Sequence, residues 1–234
     1  MSPGNAEGAC RPVAAVFLDG AYGDPPWYLA LAGRADIVLA ADGGARMLAA
    51  LGVTPDAVVG DLDSLDGETA ALLESEGVEF LRYPVRKDQT DGELAVDEAL
   101  RRGAGEVLLA GATGALDHML GHLAILRRLA ACGIPARLVA PELSVTVLTA
   151  PRSVSLAAPA GTRVSLVPVG DGVVVTLTGL DYPLEHGTLP ADGCLGLGNH
   201  VTADGSATIV VQHGVSVVVV EAEEDFRPGA PVQP

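Results

Sequence analysis

The chain has 234 residues, a formal net charge of −16, 49% hydrophobic residues and only 3% aromatic residues. Its length suffices for one large domain or two modest ones, with a core built mainly from Ala, Val and Leu. The acidic balance argues against a nucleic-acid partner, because no basic stripe could neutralise phosphates. No apolar run approaches the ~18 residues that span a bilayer, so no membrane partner is expected either.

The N-terminal residues and the cysteines indicate a cytoplasmic location. Residues 1–12 lack the basic start and apolar run of a secretion signal. The three cysteines, Cys10, Cys132 and Cys194, are odd in number and far apart. They therefore suggest neither a disulfide framework nor a zinc site. We expect residues 1–11 and 225–234 to be frayed tails.

The first part of the chain, up to roughly Pro141, alternates short apolar runs with helical stretches. The expected strands are Val13–Leu18, Ile37–Ala41, Ala57–Val59, Val78–Leu81, Val107–Ala110 and Arg137–Ala140. The expected helices are Pro25–Ala32, Ala45–Leu51, Glu68–Glu76, Asp91–Arg102 and Asp117–Ala131. Strands that are apolar on both faces and separated by helices predict a largely parallel α/β sheet.

The second part of the chain, from Ser144 onward, has no helical stretches. Its Val-rich runs are Val154–Leu156, Arg163–Val167, Val173–Thr178, Ala207–Val211 and Val215–Val220, separated by Gly, Pro and Asp. This pattern predicts an antiparallel β-sandwich or open barrel. We therefore expect an α/β domain over residues 1–143 and a β-domain over residues 144–234.

Polar loops follow four of the expected strands at their carboxyl ends. These loops contain Asp42-Gly43-Gly44, Gly60-Asp61-Leu62-Asp63-Ser64, Lys87-Asp88-Gln89-Thr90-Asp91 and Gly111-Ala112-Thr113-Gly114. Ligands of open α/β sheets bind at this edge, and convergent polar groups there predict a binding site. In the first loop, Gly43 would let the backbone approach a ligand, and a helix N-terminus could face an anion.

Asp61 and Asp63 are two residues apart, so their side chains would point to the same side of an extended loop. Two such carboxylates repel unless a cation lies between them, and their oxygens suit Mg²⁺. The alternative is that Asp63-Ser64 forms a helix N-cap.

Lys87 is the only lysine beside 13 arginines. A compact charge on a flexible stem suits a phosphate, whereas the alternative is an ordinary solvated helix start. Thr90 and Glu93 form a capping-box pattern, which leaves Lys87, Asp88 and Asp91 unexplained. Asp117-His118 is more typical of a helix cap than of a catalytic pair, and His122 is most simply a packed or partly exposed helix residue.

Together these segments resemble the thiamine pyrophosphokinase family. The matching segments are Ala41–Ala45, Val59–Ser64, Lys87–Asp91, Gly111–Gly114 with Asp117-His118, Gly179–Leu184 and Leu195–Asn199. The resemblance implies a homodimer in which a Rossmann-like domain that binds ATP and Mg²⁺ precedes a β-sandwich domain that binds thiamine. It also implies transfer of the pyrophosphoryl group of ATP to the hydroxyl of thiamine, with release of AMP.

The resemblance implies roles for individual residues as well. The implied catalytic residues are Asp61, Asp63, Lys87, Asp88 and Asp91. The implied metal ligands are Asp42, Asp61, Asp63 and Asp91. The implied ATP-binding residues are Asp42, Gly43, Ser64, Gln89, Thr90, Gly111, Asp117 and His118. The implied thiamine-binding residues are Gly198, Asn199 and His200. Asp88 and Asp91 are the candidates for a general base.

The chain departs from the family pattern in two places. Gly114-Ala115-Leu116-Asp117-His118 is one residue shorter than the family's Gly-Gly-Arg-x-Asp-His and lacks its Arg. Gly198-Asn199-His200 replaces Ser-Asn-Glu. Two alternatives therefore stay open: a pyrophosphokinase of the same fold that acts on another hydroxyalkyl heterocycle such as a pterin, and a non-catalytic protein that binds nucleotide or thiamine diphosphate.

Overall fold

The computed structural model of the protein describes residues 11–221. The tails predicted at residues 1–11 and 225–234 therefore lie outside the described residues, except Arg11, and Cys10 lies outside them too. None of the helices within residues 11–221 is long and apolar enough to cross a membrane.

The first part of the described chain alternates strands with helices, as its sequence predicts. The elements are β1 (Val13–Phe17), α1 (Pro25–Ala32), β2 (Ile37–Ala41), α2 (Gly44–Ala50), β3 (Ala57–Gly60), α3 (Gly67–Ser75), β4 (Glu79–Arg82), α4 (Asp91–Arg101), β5 (Glu106–Ala110), α5 (Leu116–Ala131) and β6 (Ala136–Ala140). The six strands pair in parallel in the order β4-β3-β2-β1-β5-β6. This arrangement confirms the predicted α/β fold.

Both faces of the parallel sheet are buried, and β1 illustrates why. Ala14 and Val16 pack into one apolar core with residues of α4 and α5. Their neighbours Ala15 and Phe17 point to the opposite face and pack with α1, α2 and α3, for example with Tyr28. Because side chains alternate along a strand, a strand covered on both faces must be apolar throughout.

The second part of the described chain consists of strands. They are β7 (Leu143–Thr149), β8 (Arg152–Ala157), β9 (Arg163–Pro168), β10 (Val173–Thr178), β11 (Leu184–Leu189), β12 (Asn199–His200), β13 (Ser206–His213) and β14 (Val215–Glu221). Strands β8, β10, β11 and β13 form a separate antiparallel sheet. Strands β7, β9, β12 and β14 join the first sheet, which reaches ten strands in the order β12-β9-β14-β7-β6-β5-β1-β2-β3-β4.

Leu166, Val175 and Ile209 lie in one apolar cluster contributed by both of these sheets, and each is fully buried. The second part is thus a β-sandwich, as predicted. The sequence did not predict β7, β11 and β12. The change from α/β to all-β structure falls between β6 and β7, which pair antiparallel. The domain limits at residues 143 and 144 stay a prediction.

Candidate active site

The loops at the carboxyl ends of β1, β2 and β3 meet the start of α4 around one cleft. The cleft has a volume of about 650 Å³, and among its lining residues are Asp19, Asp42, Asp61, Ser64, Lys87 and Asp91. Strands β1, β2 and β3 are neighbours in the sheet. Because parallel strands end at the same edge, the loops that follow them converge. The acidic residues therefore lie together at the edge of the sheet where the sequence predicts the site.

Asp42, Asp61 and Asp91 form the centre of this cleft. One carboxylate oxygen of each lies within 4.8 Å of an oxygen of the other two. Asp42 follows β2, Asp61 follows β3, and Asp91 is the first residue of α4. Ionised carboxylates repel one another at this distance, so the fold holds these three together against their mutual repulsion.

The chemistry of these three residues fits a hard divalent cation. Asp42 is only 9% exposed, and its Oδ1 atom is buried without a hydrogen-bond partner. A buried carboxylate oxygen without a partner is unfavourable unless a cation satisfies it. An all-oxygen donor set is the kind that Mg²⁺ prefers. These residues therefore fit the Mg²⁺ that the sequence predicts.

The loop that joins Asp61 to Asp63 is not the extended segment that the expectation assumed. Leu62, which lies between them, has a left-handed φ of 66°. Asp63 instead donates its backbone N–H to Oδ1 of Asp61 at 3.3 Å. The negative charge of Asp61 raises the pKa of Asp63. Asp63 does not belong to the group of three, and its role as a ligand stays a prediction.

The alternative that Asp63-Ser64 caps a helix is wrong. Helix α3 begins at Gly67, and the cap is Asp66, whose side chain accepts a hydrogen bond from the Thr69 N–H at 2.9 Å. The hydroxyl of Ser64 instead donates to Oδ2 of Asp42. Ser64 thus supports a carboxylate of the cleft.

Lys87 lies inside the acidic cluster. Its Nζ atom is 3.2 Å from Oδ2 of Asp61 and 2.9 Å from Oδ1 of Asp91, and 14% of its side chain is exposed. Burial lowers the pKa of Lys87, but the hydrogen bonds and charges of Asp91 and Asp61 outweigh it, so the pKa is raised overall. The pKa of Asp61 is lowered, chiefly by the Asp63 N–H and next by Lys87. A solvated helix start would not be buried in this way.

The remaining residues of the Lys87 loop take separate positions. Thr90 and Glu93 form the predicted capping box, with reciprocal hydrogen bonds at the start of α4. Gln89 lines the cleft and donates from its side chain to Oδ2 of Asp97 at 2.9 Å. Asp88 is exposed. Thr90 therefore has a structural role that its sequence pattern predicts, and its contact with a nucleotide stays a prediction.

Gly111 is required by packing at the end of β5. Its φ is 67°, and a Cβ atom built there would lie 2.3 Å from Cζ of Tyr22. Gly43 is constrained in a similar way, since a Cβ atom there would lie 2.4 Å from Cγ of Asp19. A glycine at each position is thus explained without a ligand.

The start of α5 brings one histidine pair to the cleft. The helix begins at Leu116 with Ala115 as its cap, so Asp117 is not the cap that the sequence suggests. Asp117 is exposed and accepts a hydrogen bond from the His118 N–H. His118 and His122 both line the cleft. The carbonyl of Ala112 accepts from Nδ1 of His122 at 3.0 Å, and burial lowers the pKa of His122.

Gly198, Asn199 and His200 lie far from this cleft in the same chain. Asn199 is in β12 at one edge of the ten-stranded sheet, seven places from β2. Neighbouring strands are about 4.8 Å apart, so the separation is on the order of 30 Å. The Asn199 side chain is buried, accepts from the N–H groups of Tyr182 and His200, and donates to the Tyr182 carbonyl. Gly198 donates its N–H to Oγ of Ser165.

Two charged residues, Asp19 of the cleft and its partner Arg46, were not predicted from the sequence. Asp19 follows β1, and Arg46 lies in the first turns of α2. The Nη2 atom of Arg46 is 2.9 Å from Oδ1 of Asp19, and its Nη1 atom donates to the Ser64 carbonyl. Asp19 carried a usable signal, because it follows a buried strand at the same edge as the other loops.

The fold and the site together define a class: a parallel α/β unit with a carboxylate-lined cleft at its carboxyl edge, followed by a β-sandwich. Comparisons with known proteins identify the family. Residues 28–138 match the thiamin pyrophosphokinase catalytic domain, and residues 149–216 match the thiamin pyrophosphokinase vitamin B1 binding domain. The chain belongs to the thiamine pyrophosphokinase family.

Individual relatives agree with this assignment. The chain is 30% identical over 159 residues to the thiamine pyrophosphokinase of Bacillus subtilis. The aligned region covers 66% of this chain and 74% of that protein. A crystal structure of the thiamine pyrophosphokinase from Bacillus subtilis matches with a TM-score of 0.78 and 23% identity over 92% of this chain and 100% of that one. The yeast thiamin pyrophosphokinase structure matches with a TM-score of 0.76 and 15% identity over 92% of this chain and 87% of that one. The two structures show a shared fold.

Proposed function

We propose that the protein is an ATP-dependent thiamine diphosphokinase that transfers the pyrophosphoryl group of ATP to the hydroxyl of thiamine and releases AMP. The observation that carries this proposal is the cluster of Asp42, Asp61 and Asp91 around Lys87 at the carboxyl edge of the sheet. The membership of the chain in the family supports the choice of reaction.

Asp42, Asp61 and Asp91 would hold Mg²⁺, with Asp63 as a further ligand. When bound, Mg²⁺ would neutralise the charge of the triphosphate. The protein's own part is to position the reactants and stabilise charge. Lys87 would move from its carboxylates to the transferred phosphates, as a flexible point charge can.

Eight residues are predicted to contact the nucleotide. They are Asp42, Gly43, Ser64, Gln89, Thr90, Gly111, Asp117 and His118. Among them, Asp42, Ser64, Gln89, Thr90 and His118 line the cleft. The acceptor hydroxyl would attack the β-phosphorus of ATP, the bond from that phosphorus to the α–β bridging oxygen would break, and AMP would leave.

A general base would take the proton of the hydroxyl. Asp88 and Asp91 are the candidates. Asp91 is engaged by Lys87 and belongs to the group of three carboxylates, whereas Asp88 is exposed. Both residues stay candidates, because Asp91 lines the cleft and Asp88 is not engaged by Lys87.

The thiamine site would need a second copy of the chain. Gly198, Asn199 and His200 are on the order of 30 Å from the carboxylates within one chain, given the strand spacing. No vitamin-sized molecule spans that distance, so one acceptor can touch both parts only if they come from different copies. Large exposed apolar side chains at both places, Tyr182 and Leu195 near Asn199 and Leu116 and Leu120 beside the cleft, support such a homodimer.

The altered Gly198-Asn199-His200 segment favours one other acceptor class, a hydroxyalkyl heterocycle such as a pterin. A non-catalytic protein that binds nucleotide or thiamine diphosphate is less well supported, because a binder has little need for three clustered carboxylates. We also propose a cytoplasmic location, with which the free, exposed Cys132 and Cys194 agree.

An acceptor panel tests the proposal. The protein is incubated with ATP and Mg²⁺ and with thiamine, with a hydroxymethyl pterin, or with no acceptor, and nucleotides are separated by chromatography. We expect AMP to rise in step with thiamine diphosphate only when thiamine is present. AMP formed only with the pterin would show that the pterin, and not thiamine, is the acceptor. Saturable ATP binding without turnover would indicate a non-catalytic binding protein. Sedimentation of the same sample should give the mass of a dimer.

A further inference from the structure

Arg46 joins the loops at the ends of two strands that are not adjacent. Its guanidinium contacts Asp19, which follows β1, and the carbonyl of Ser64, which follows β3. In the sheet, β1 and β3 lie on either side of β2. The side chain of Arg46 therefore passes over the end of the strand that leads to Asp42.

Ser64 links Arg46 to Asp42. The hydroxyl of Ser64 donates to Oδ2 of Asp42, while Oδ1 of Asp42 has no partner. Asp42 also has a left-handed φ of 44°, a conformation that its surroundings must hold in place. A fixed Ser64 thus occupies one oxygen of Asp42 and leaves the other available for a cation.

Asp19 fits this arrangement closely. Its carboxylate lies over Gly43, where a Cβ atom would approach Cγ of Asp19 to 2.4 Å. Asp19 lines the same cleft as Asp42, so it adds negative charge there, and Arg46 is its ion-pair partner at 2.9 Å. A planar guanidinium can donate to a carboxylate and a carbonyl in two directions at once, which a lysine ammonium does less well.

We propose that Arg46 is a positioning residue that fixes Ser64 and thereby holds Asp42 in its cation-binding orientation, with Asp19 orienting Arg46. This inference rests on the metal site of the proposed function. Groups behind a metal ligand commonly change metal affinity about 10- to 100-fold when they are removed. The expected effect is therefore on metal binding, and it is separate from the general stability of the fold.

The test measures Mg²⁺ binding to the full chain without nucleotide by titration calorimetry. Arg46→Ala is expected to weaken binding by about 10-fold or more. Ser64→Ala should weaken it in the same direction, and the double variant should be little worse than either single variant, because both changes break one chain of contacts. Arg46→Lys should weaken Mg²⁺ binding less than Arg46→Ala does, because the ammonium keeps only part of the contacts. Arg46→Gln, which keeps donors but no charge, serves if the alanine variant does not fold.

Arg163 provides the matched control. It pairs with Glu221 at 3.0 Å, with 52% and 47% of the two side chains exposed, against 45% and 47% for Arg46 and Asp19. Arg163→Ala should leave Mg²⁺ affinity unchanged. Arg46 variants that bind Mg²⁺ within twofold of the unmodified protein, or that lose only thermal stability, would overturn the inference. Absence of Mg²⁺ binding in the unmodified protein would instead overturn the metal site itself.

Discussion

The Nζ atom of Lys87 lies 2.9 Å from Oδ1 of Asp91, so a lysine ammonium contacts the carboxylate cluster. The same atom is 3.2 Å from Asp61. Both aspartates belong to the group of three that fits a cation. Lys87 and Mg²⁺ should therefore compete for the same oxygens, and Lys87 would be free to contact phosphate once these carboxylates held the metal.

Replacement of the lysine should consequently strengthen metal binding. We expect Lys87→Met to bind Mg²⁺ at least severalfold more tightly without nucleotide, because a unit charge about 4 Å away is worth on the order of 1 kcal/mol even in water. The same variant should lose pyrophosphoryl transfer by orders of magnitude. Calorimetric titration and a turnover assay measure the two effects. Unchanged or weaker Mg²⁺ binding would show that Lys87 does not compete with the metal.

Arginine should not substitute for this lysine. Lys87→Arg keeps the charge but brings a broad planar group into a side chain position that is only 14% exposed. We expect turnover of Lys87→Arg to fall nearly as far as that of Lys87→Ala, since the proposed role needs a mobile point charge. Near-normal turnover in the arginine variant would mean that any positive charge suffices.

The carboxylate cluster should lower the stability of the protein when no metal is bound, whereas a helix cap should raise it. We expect Asp42→Asn to abolish Mg²⁺ binding and to leave thermal stability of the metal-free protein unchanged or higher, because it removes like-charge repulsion. Asp66→Ala is the control: loss of the α3 cap should cost about 1 kcal/mol and leave Mg²⁺ binding intact. A marked loss of stability in Asp42→Asn without metal would favour a structural role for that carboxylate.

Glu98 should make the fold sensitive to acid. It is 6% exposed and accepts hydrogen bonds at 2.6 Å from both Arg101 and Arg102. The Arg101 hydrogen bonds are the main cause that lowers the pKa of Glu98 below its ordinary value of 4.5, against the effect of burial. A lowered folded-state pKa means that the ionised form stabilises the protein above that ordinary value, and this stability is lost as the pH falls.

We therefore expect Glu98→Gln to reduce the free energy of unfolding by about 1–3 kcal/mol at neutral pH, as loss of charged hydrogen bonds does. The deficit relative to the unmodified protein should shrink as the pH falls below the ordinary glutamate pKa. Urea unfolding at several pH values measures it. Glu74→Gln, which breaks the exposed 3.8 Å pair with Arg82, should cost less than about 1 kcal/mol. A constant deficit across the pH range would show that ionisation of Glu98 does not stabilise the fold.

The parallel strands were predictable because strands buried on both faces are apolar throughout, so β2 and its neighbours stand out in the sequence. Strand β11 was not predictable, because Glu185, His186 and Gly187 interrupt the apolar pattern of a strand. The Asp42–Asp61–Asp91 cluster followed from the rule about strand ends. The shape of the loop from Asp61 to Asp63 did not, because a left-handed φ at Leu62 cannot be read from its residue type. The contacts of Arg46 could not be predicted either, because they depend on how the ends of β1, β2 and β3 pack together.

The labelled phosphates of ATP give the most direct test of the central claim. The protein is incubated with Mg²⁺, thiamine and ATP labelled with ³²P at either the α- or the γ-phosphate. Transfer of the pyrophosphoryl group predicts that the α-label appears in AMP and the γ-label in thiamine diphosphate, in equal amounts. An α-label that accumulates in ADP, with the γ-label in a monophosphate ester of thiamine, would contradict the account.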